Sequence, residues 1–343
     1  MKDIIDSNII MRQGLPQVAE HKVVVLSITY NQAEYVEDTL KGFAAQHTDF
    51  PFFCCVFDDA STDGEQDVLR HWIHSHCNAE DVEEYDHPLT TILTGDDKEN
   101  PNCIYVFHLL KVNSYGKPGK AELLNYWRNH GKYVAMCEGD DYWTDPLKLQ
   151  KQVDFLESHP DFSMCTHRFH ILEQGTQQLR EDWNGRYKDG LVFDMEHFLT
   201  RTTWVTQPLT LLYRRAAIDW DEYSRYKNSK DVTLMYTLLK QGKGLLMPEL
   251  MGVYRVHKGG VWQGVDKSKK IKAELDTVMA IYDVERSKQA ALLVRNSMRY
   301  FGYLGRTFFR NYISTYLKTL RIICSELGLW SAIKAIVRSL KFF

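Results

Sequence analysis

The sequence predicts an α/β fold followed by a mainly α-helical, basic C-terminal extension, and three observations carry that expectation. Runs of β-branched and aromatic residues alternate with helix-period segments over the first half of the chain, the rhythm of parallel βαβ units. Pairs of acids stand where two of those runs stop, at Asp58-Asp59 and Asp140-Asp141. The stretch 286–343 carries 11 Lys/Arg against the single acid Glu326, a net of +10. The preceding 285 residues keep 31 basic and 44 acidic side chains, a net of −13, so the total of −3 conceals an acidic body and a basic tail.

The elements follow in order. His21–Tyr30 (HKVVVLSITY) is a β-branched apolar run, the pattern of a strand buried on both faces. Tyr35, Val36, Leu40 and Phe43 then recur at helical spacing. Pro51–Phe57 (PFFCCVF) reads as a second buried strand, stopped by the turn and cap residues of Asp58–Gly64. Val68, Leu69, Trp72 and Ile73 supply the apolar face of the next helix. Residues 77–103 are polar and irregular and yield no assignment.

Ile104–Val112 reads as a strand, Ala121–His130 as a helix ended by Gly131, and Lys132–Cys137 (KYVAMC) as a further strand. Asp145-Pro146 opens a helix through Glu157, since Pro suits a first helical turn. After Asp161 come a strand-like segment and a loop-rich stretch. An amphipathic helix over Asp231–Gln241 follows, then a strand-like run over Leu245–His257 interrupted by Pro248 and Glu249. The tail reads as mostly helix.

Composition narrows the class. A chain of 343 residues with 44% hydrophobic and 25% charged side chains is neither disordered nor collagen-like. No stretch approaches the ~18 uninterrupted apolar residues of a membrane-spanning helix. The opening MKDIIDSNIIMRQGLPQ lacks the basic start and apolar core of a signal peptide, so a cytoplasmic location is expected. The seven cysteines are odd in number and form no CxxC pair, which favours buried free thiols over disulfides or structural zinc. GxGxxG and GxxxxGK[ST] are both absent, excluding the usual dinucleotide and P-loop readings.

In open α/β sheets ligands bind outside the carboxyl ends of the strands, where both acid pairs stand. Adjacent carboxylates there repel each other, and a hard divalent ion with oxygen ligands relieves that repulsion and bridges a diphosphate. The alternative is a pair of solvated helix N-cap acids, and the residues alone leave both open. Asp96-Asp97 repeats the Gly-Asp-Asp triplet, but its flanks (TILTGDDKENPN) lack the Tyr-Trp and Pro-Lys-Leu that follow Asp141.

Three blocks together resemble the family 2 glycosyltransferases: LSITYNQAEYVEDTLKGFAAQ at 26–46, FDDASTDG at 57–64 and AMCEGDDYWTDPLKLQKQVDFL at 135–156. They occur in family order and spacing, and the resemblance covers residues 20–260. It implies a GT-A, Rossmann-like nucleotide-sugar-binding domain over 21–262, between an N-terminal arm (1–20) and a helical, basic region (263–343). It also implies that Thr29, Tyr30 and Asn31 line the nucleotide pocket, with Tyr30 against uracil and Glu34 nearby. Asp59 would accept a hydrogen bond from the base, with Asp58 supporting the turn and Lys120 directed toward the nucleotide. Asp140 and Asp141 would hold the ribose and a Mn²⁺ or Mg²⁺ ion.

The family's metal signature is Asp-x-Asp, where this chain has Glu138-Gly139-Asp140, so Glu138 is a candidate ligand. Asp231, at the start of its helix after Ser229-Lys230, matches the acid that serves the family as catalytic base. Tyr254–Trp262 is similar to the family's YRxH loop, with His257 a metal ligand and Arg255 or Lys258 facing the diphosphate. The resemblance thus implies inverting transfer from a UDP-sugar to a saccharide or lipid-linked acceptor in cell-surface polysaccharide synthesis.

In the tail, Leu329, Trp330, Ile333, Ile336, Val337 and Leu340 share one helical face, with Lys334, Arg338 and Lys341 on the rest. A basic amphipathic helix of this kind suits an anionic membrane surface; packing on the acidic body or a second subunit is the alternative. No nucleic-acid recognition motif accompanies the charge. A non-catalytic nucleotide- or glycan-binding scaffold of the same fold is the rival reading, because Glu138 and Lys230 depart from the family pattern. A sugar-1-phosphate nucleotidyltransferase would need a Gly-rich, basic first loop, which TYNQAE lacks.

Overall fold

The computed structural model describes residues 15–16, 19–115, 120–200, 205–227, 230–260, 265–302 and 313–340. Most of the expected arm over 1–20, together with Ser229, Val261, Trp262 and Lys341, lies outside the described residues. By their contacts, the residues form two compact units. One comprises 1–192, 205–217 and 244–255; the other comprises 193–204, 218–243 and 256–343.

The first unit is built on a sheet with parallel strands at its centre. β1 (His21–Thr29) pairs in parallel with β2 (Phe52–Asp58) on one side and β6 (Gly131–Met136) on the other. β2 pairs in parallel with β5 (Cys103–Leu110). Every residue of β2 is buried and Val23–Val25 of β1 are inaccessible, which is why these runs are apolar without alternation.

Residues 77–103, which the sequence leaves unassigned, contain an antiparallel hairpin. β3 (Glu83–His87) pairs with β4 (Thr90–Asp96), which joins β5. On the far side β11 (Leu212–Arg214) runs antiparallel to both β6 and β8 (Phe162–Glu173). The sheet continues to β12 (Lys243–Val256), which also pairs with the two-residue β7 (Tyr142–Trp143). β9 (Gln178–Glu181) pairs with β8, and β10 (Leu191–Phe193) ends the strand order. Pro248 is tolerated inside β12 because it sits at an exposed position.

Four helices follow strands of this unit: α1 (Val36–Ala44), α2 (Glu65–His76), α3 (Lys120–Arg128) and α4 (Lys148–Ser158). α4 begins three residues after Asp145, whose carboxylate accepts the Leu147 N–H at 2.8 Å, so the Asp-Pro pair forms the turn before the helix. Six of the seven cysteines are buried free thiols and Cys324 is exposed.

The second unit holds α5 (Met195–Thr200), α6 (Trp220–Tyr223) and α7 (Asp231–Gln241). It also holds α8 (Lys267–Glu285), α9 (Lys288–Gly302), α10 (Ile313–Leu327) and α11 (Leu329–Leu340). Its core gathers Leu275, Ile281, Val294, Met298, Phe301 and Ile323. Residues 193–204 and 218–243 therefore pack with the C-terminal helices. Tyr236 of α7 belongs to that core, and Asn296 of α9 donates to the Leu199 carbonyl. Among the described residues no helix is long and apolar enough to cross a membrane.

Candidate active site

β1 lies between β2 and β6, and the chain visits β2 and β5 before crossing back to β6. That reversal of strand order marks the place where an open α/β sheet forms its crevice. Three loops leave the strand ends there: Tyr30–Tyr35 after β1, Asp59–Gly64 after β2 and Cys137–Asp141 after β6.

In the last of these, carboxylate oxygens of Glu138, Asp140 and Asp141 lie within 4.8 Å of one another. Glu138 is exposed, Asp140 half-buried and Asp141 fully buried. One Asp141 oxygen accepts the Arg255 backbone N–H at 2.9 Å, while the other is buried without a hydrogen-bond partner. Burial pushes the Asp141 carboxyl well above the usual range, and the charges of Asp140 and Glu138 push it further. A buried oxygen without a donor, facing two more carboxylates, is a donor set that fits a hard divalent cation. Glu138, the departure from the family signature, belongs to this cluster.

The acidic loop is tied down from two sides. The Thr39 hydroxyl on α1 lies 3.0 Å from the Gly139 carbonyl and 2.6 Å from that of Asp141. Arg255 reaches the loop from β12: its Nε donates to the Asp140 carbonyl at 2.9 Å, Nη1 to Gln174 at 2.9 Å and Nη2 to Asp38 at 2.8 Å. Its guanidinium also lies 4.7 Å from the Tyr35 ring and 5.2 Å from that of Tyr142. Every guanidinium nitrogen thus donates to protein, and Arg255 braces the acidic loop. Farther along, Lys148 is fully buried with its ammonium 3.7 Å from the Trp143 ring centre, and burial lowers it to about 7.

The other two loops are laced together. The Asn31 N–H donates to the Ser61 hydroxyl at 2.8 Å, and the Thr62 N–H donates to the Asn31 side chain at 2.8 Å. The Ala33 N–H donates to Asp63 at 3.0 Å. Asn31 and Ala60 both adopt left-handed backbone, with φ of 54° and 61°. For alanine that conformation costs on the order of 1 kcal/mol or more. Buried Asp58 accepts the Ser61 N–H at 3.0 Å, holding the turn.

Of the residues expected at a nucleotide, Tyr30 (46% exposed), Asn31 and Glu34 face solvent. Thr29 is buried, with its hydroxyl against Glu65 and 2.7 Å from Gln32, which places it beneath the pocket surface. Asp59 is buried and meets Lys120 Nζ at 2.6 Å, the Ser114 hydroxyl at 2.7 Å and the Ser114 N–H at 2.8 Å. Although burial opposes it, these donors hold the Asp59 carboxyl below its ordinary value. The two residues thus form one ion pair.

Asp231 and His257 belong to the second unit. Asp231 opens α7, and its side chain reaches the surface. Loss of hydration raises its carboxyl above the ordinary value, against the opposing charge of Lys230. Glu274 of α8 has its carboxyl raised by burial, with the charge of Asp231 adding to the effect. His257 is nearly buried, two residues beyond Arg255.

No family model matches the chain. An uncharacterised protein of Mycobacterium tuberculosis is 32% identical over 238 residues, covering 69% of this chain. The chain spans 60% of that relative's length. TuaG of Bacillus subtilis, described as a teichuronic acid biosynthesis glycosyltransferase, is 26% identical over 267 residues, 77% of this chain and 88% of TuaG. Among solved structures, S. aureus TarS 1-349 in complex with UDP-GlcNAc superposes with a TM-score of 0.59 at 16% identity, covering 94% of this chain and 89% of TarS 1-349. The same protein with UDP gives 0.56 at 17% identity, covering 94% and 88%. At these identities the likeness shows the fold.

Proposed function

We propose, on the premise that the chain has the GT-A glycosyltransferase fold and resembles the family 2 enzymes, that it transfers a sugar from a UDP-linked donor to a hydroxyl acceptor with inversion. The observation that carries the reading is the Glu138/Asp140/Asp141 cluster, with its partnerless buried oxygen, at the carboxyl end of a parallel strand. TarS 1-349, of the same fold, is solved with UDP-GlcNAc and with UDP, which supports a UDP-linked donor.

Asp140, Asp141 and Glu138 would hold a Mn²⁺ or Mg²⁺ ion. Such an ion offsets the negative charge that grows on a departing diphosphate. Tyr30 offers an exposed ring for the uracil face, Asn31 and Glu34 flank it, and Asp59 meets the base as a pair with Lys120. Asp231 is the base. The acceptor oxygen bonds to the anomeric carbon as that carbon parts from the diphosphate oxygen, and the hydroxyl proton passes to Asp231. The carboxyl's raised proton affinity suits it to that task.

The acceptor is a saccharide or a lipid-linked saccharide of the cell surface, met at the cytoplasmic face of the membrane. Two features support that setting: the +10 charge of 286–343 and an exposed apolar stripe on α11. In that stripe Leu329 is 67% and Trp330 76% exposed, with Ile333 and Val337 also open.

The test is a donor-turnover screen across UDP-, GDP- and dTDP-sugars with Mn²⁺ or Mg²⁺, with Asp231→Asn as control. The expected result is UDP-sugar turnover falling about 10²- to 10⁴-fold in the variant, with donor binding kept. Nucleotide binding without turnover of any donor, across varied acceptors, would favour the scaffold reading instead.

A further inference from the structure

Glu65 has no part in the site as derived so far, yet the loops of that site converge on it. It is the first residue of α2 and is fully buried. One carboxylate oxygen accepts the Thr29 hydroxyl. The other accepts the Gln32 N–H at 2.9 Å and the Ser61 hydroxyl at 2.9 Å. The loops after β1 and after β2 therefore share this acceptor, and Ser61 passes the connection on to the Asn31 N–H.

The acidic loop rests on the same support. A Cβ built on Gly139 would overlap the Thr29 side chain and lie 2.7 Å from the Gln32 side-chain amide oxygen, so Gly139 packs directly on the two residues that Glu65 holds. The Gly139 N–H also donates to the Ile28 carbonyl at 3.2 Å, one residue before Thr29. From Glu65 to Gly139, neighbour of Asp140, there is one intervening layer of side chains.

We propose that Glu65 is a positioning residue whose carboxylate locks the loop 29–33 against the acidic loop 138–141, so that removing its charge loosens both and weakens donor binding. The proposal rests on the reading of these loops as the donor site. The three donors favour the ionised form over a protonated carboxyl, which would turn an O–H toward one of them, but burial outweighs them, so the lock is complete only above about pH 7. Burial opposes that charge most and the charge of Asp58 adds to the opposition, so the donors hold a carboxylate that its surroundings resist.

The test is Glu65→Gln, which keeps shape and removes charge, read by amide hydrogen exchange over 28–34 and 137–142 and by UDP titration at pH 8. We expect exchange in both segments to rise and UDP affinity to fall about tenfold. Unchanged exchange in either segment, or faster exchange with full UDP affinity, overturns the proposal. The exchange readout needs no ligand. If the unaltered protein fails to bind UDP, the donor reading falls while exchange still decides whether Glu65 locks the loops. Should Glu65→Gln fail to fold, Thr29→Val and Ser61→Ala each remove one donor and must each speed exchange in 28–34.

Discussion

The backbone N–H of Arg255 lies 2.9 Å from the Asp141 carboxylate, and the Arg255 side chain holds the neighbouring Asp140 carbonyl. One residue of β12 thus secures two consecutive residues of the acidic loop. The side chain reaches Asp38 and Gln174 from the same position, so its planar fork serves three acceptors at once.

Arg255→Ala is expected to destabilise the protein by about 2–4 kcal/mol, since it removes charged hydrogen bonds and the packing against two tyrosine rings. Arg255→Lys should recover little of that loss, because one ammonium cannot span the three acceptors. Thermal unfolding of both variants checks this; a lysine variant as stable as the native protein would contradict it.

Lys120→Met leaves the buried Asp59 carboxylate without its cation. The Asp59 carboxyl is held below its ordinary 3.8 in the folded protein, so its stabilisation is present above that value and fades as pH falls through the lowered one. The variant's deficit should therefore be full at pH 7, about 2–4 kcal/mol, and shrink below about pH 4. Denaturant melts at pH 7 and pH 3.5 measure it.

For Glu65 the sign is reversed. Burial pushes its carboxyl from 4.5 up to about 7, so ionising it costs the folded state as pH climbs between those values. Glu65→Gln removes that cost. The variant's melting temperature minus that of the native protein should therefore grow more positive from pH 5 to pH 8. A difference flat with pH would contradict the assignment. Asp58 and Asp63 beside it, and Glu138 and Asp140 flanking Gly139, remain in both proteins.

The strands of the parallel centre were legible because burial on both faces leaves an unbroken apolar run, as in Val23–Val25 and Phe52–Phe57. β3 was not, since its sequence is EEYDH and four of its five residues are at least partly exposed, leaving no period to read. The acid pairs marked the correct strand ends. The role of Glu65 was hidden because an acid at the start of a helix ordinarily reads as a solvated dipole partner, whereas here it points inward. The Asp59–Lys120 pair joins residues 61 positions apart, which no local pattern reveals.

The stripe on α11 predicts binding to vesicles containing anionic lipid. Each nearby Lys or Arg contributes about 1 kcal/mol, so binding should weaken with salt. Trp330→Ser with Ile333→Ser should reduce co-sedimentation by about tenfold or more while leaving UDP binding intact. Equal co-sedimentation of native and variant protein would count against this face.

The central claim, a metal-assisted nucleotide site at the acidic loop, is tested most directly by calorimetric titration of UDP with and without Mn²⁺, repeated on Asp141→Asn. The account predicts UDP binding that strengthens with Mn²⁺ in the native protein and loses that strengthening in the variant. Native UDP binding that is indifferent to Mn²⁺ and unchanged by Asp141→Asn would contradict it.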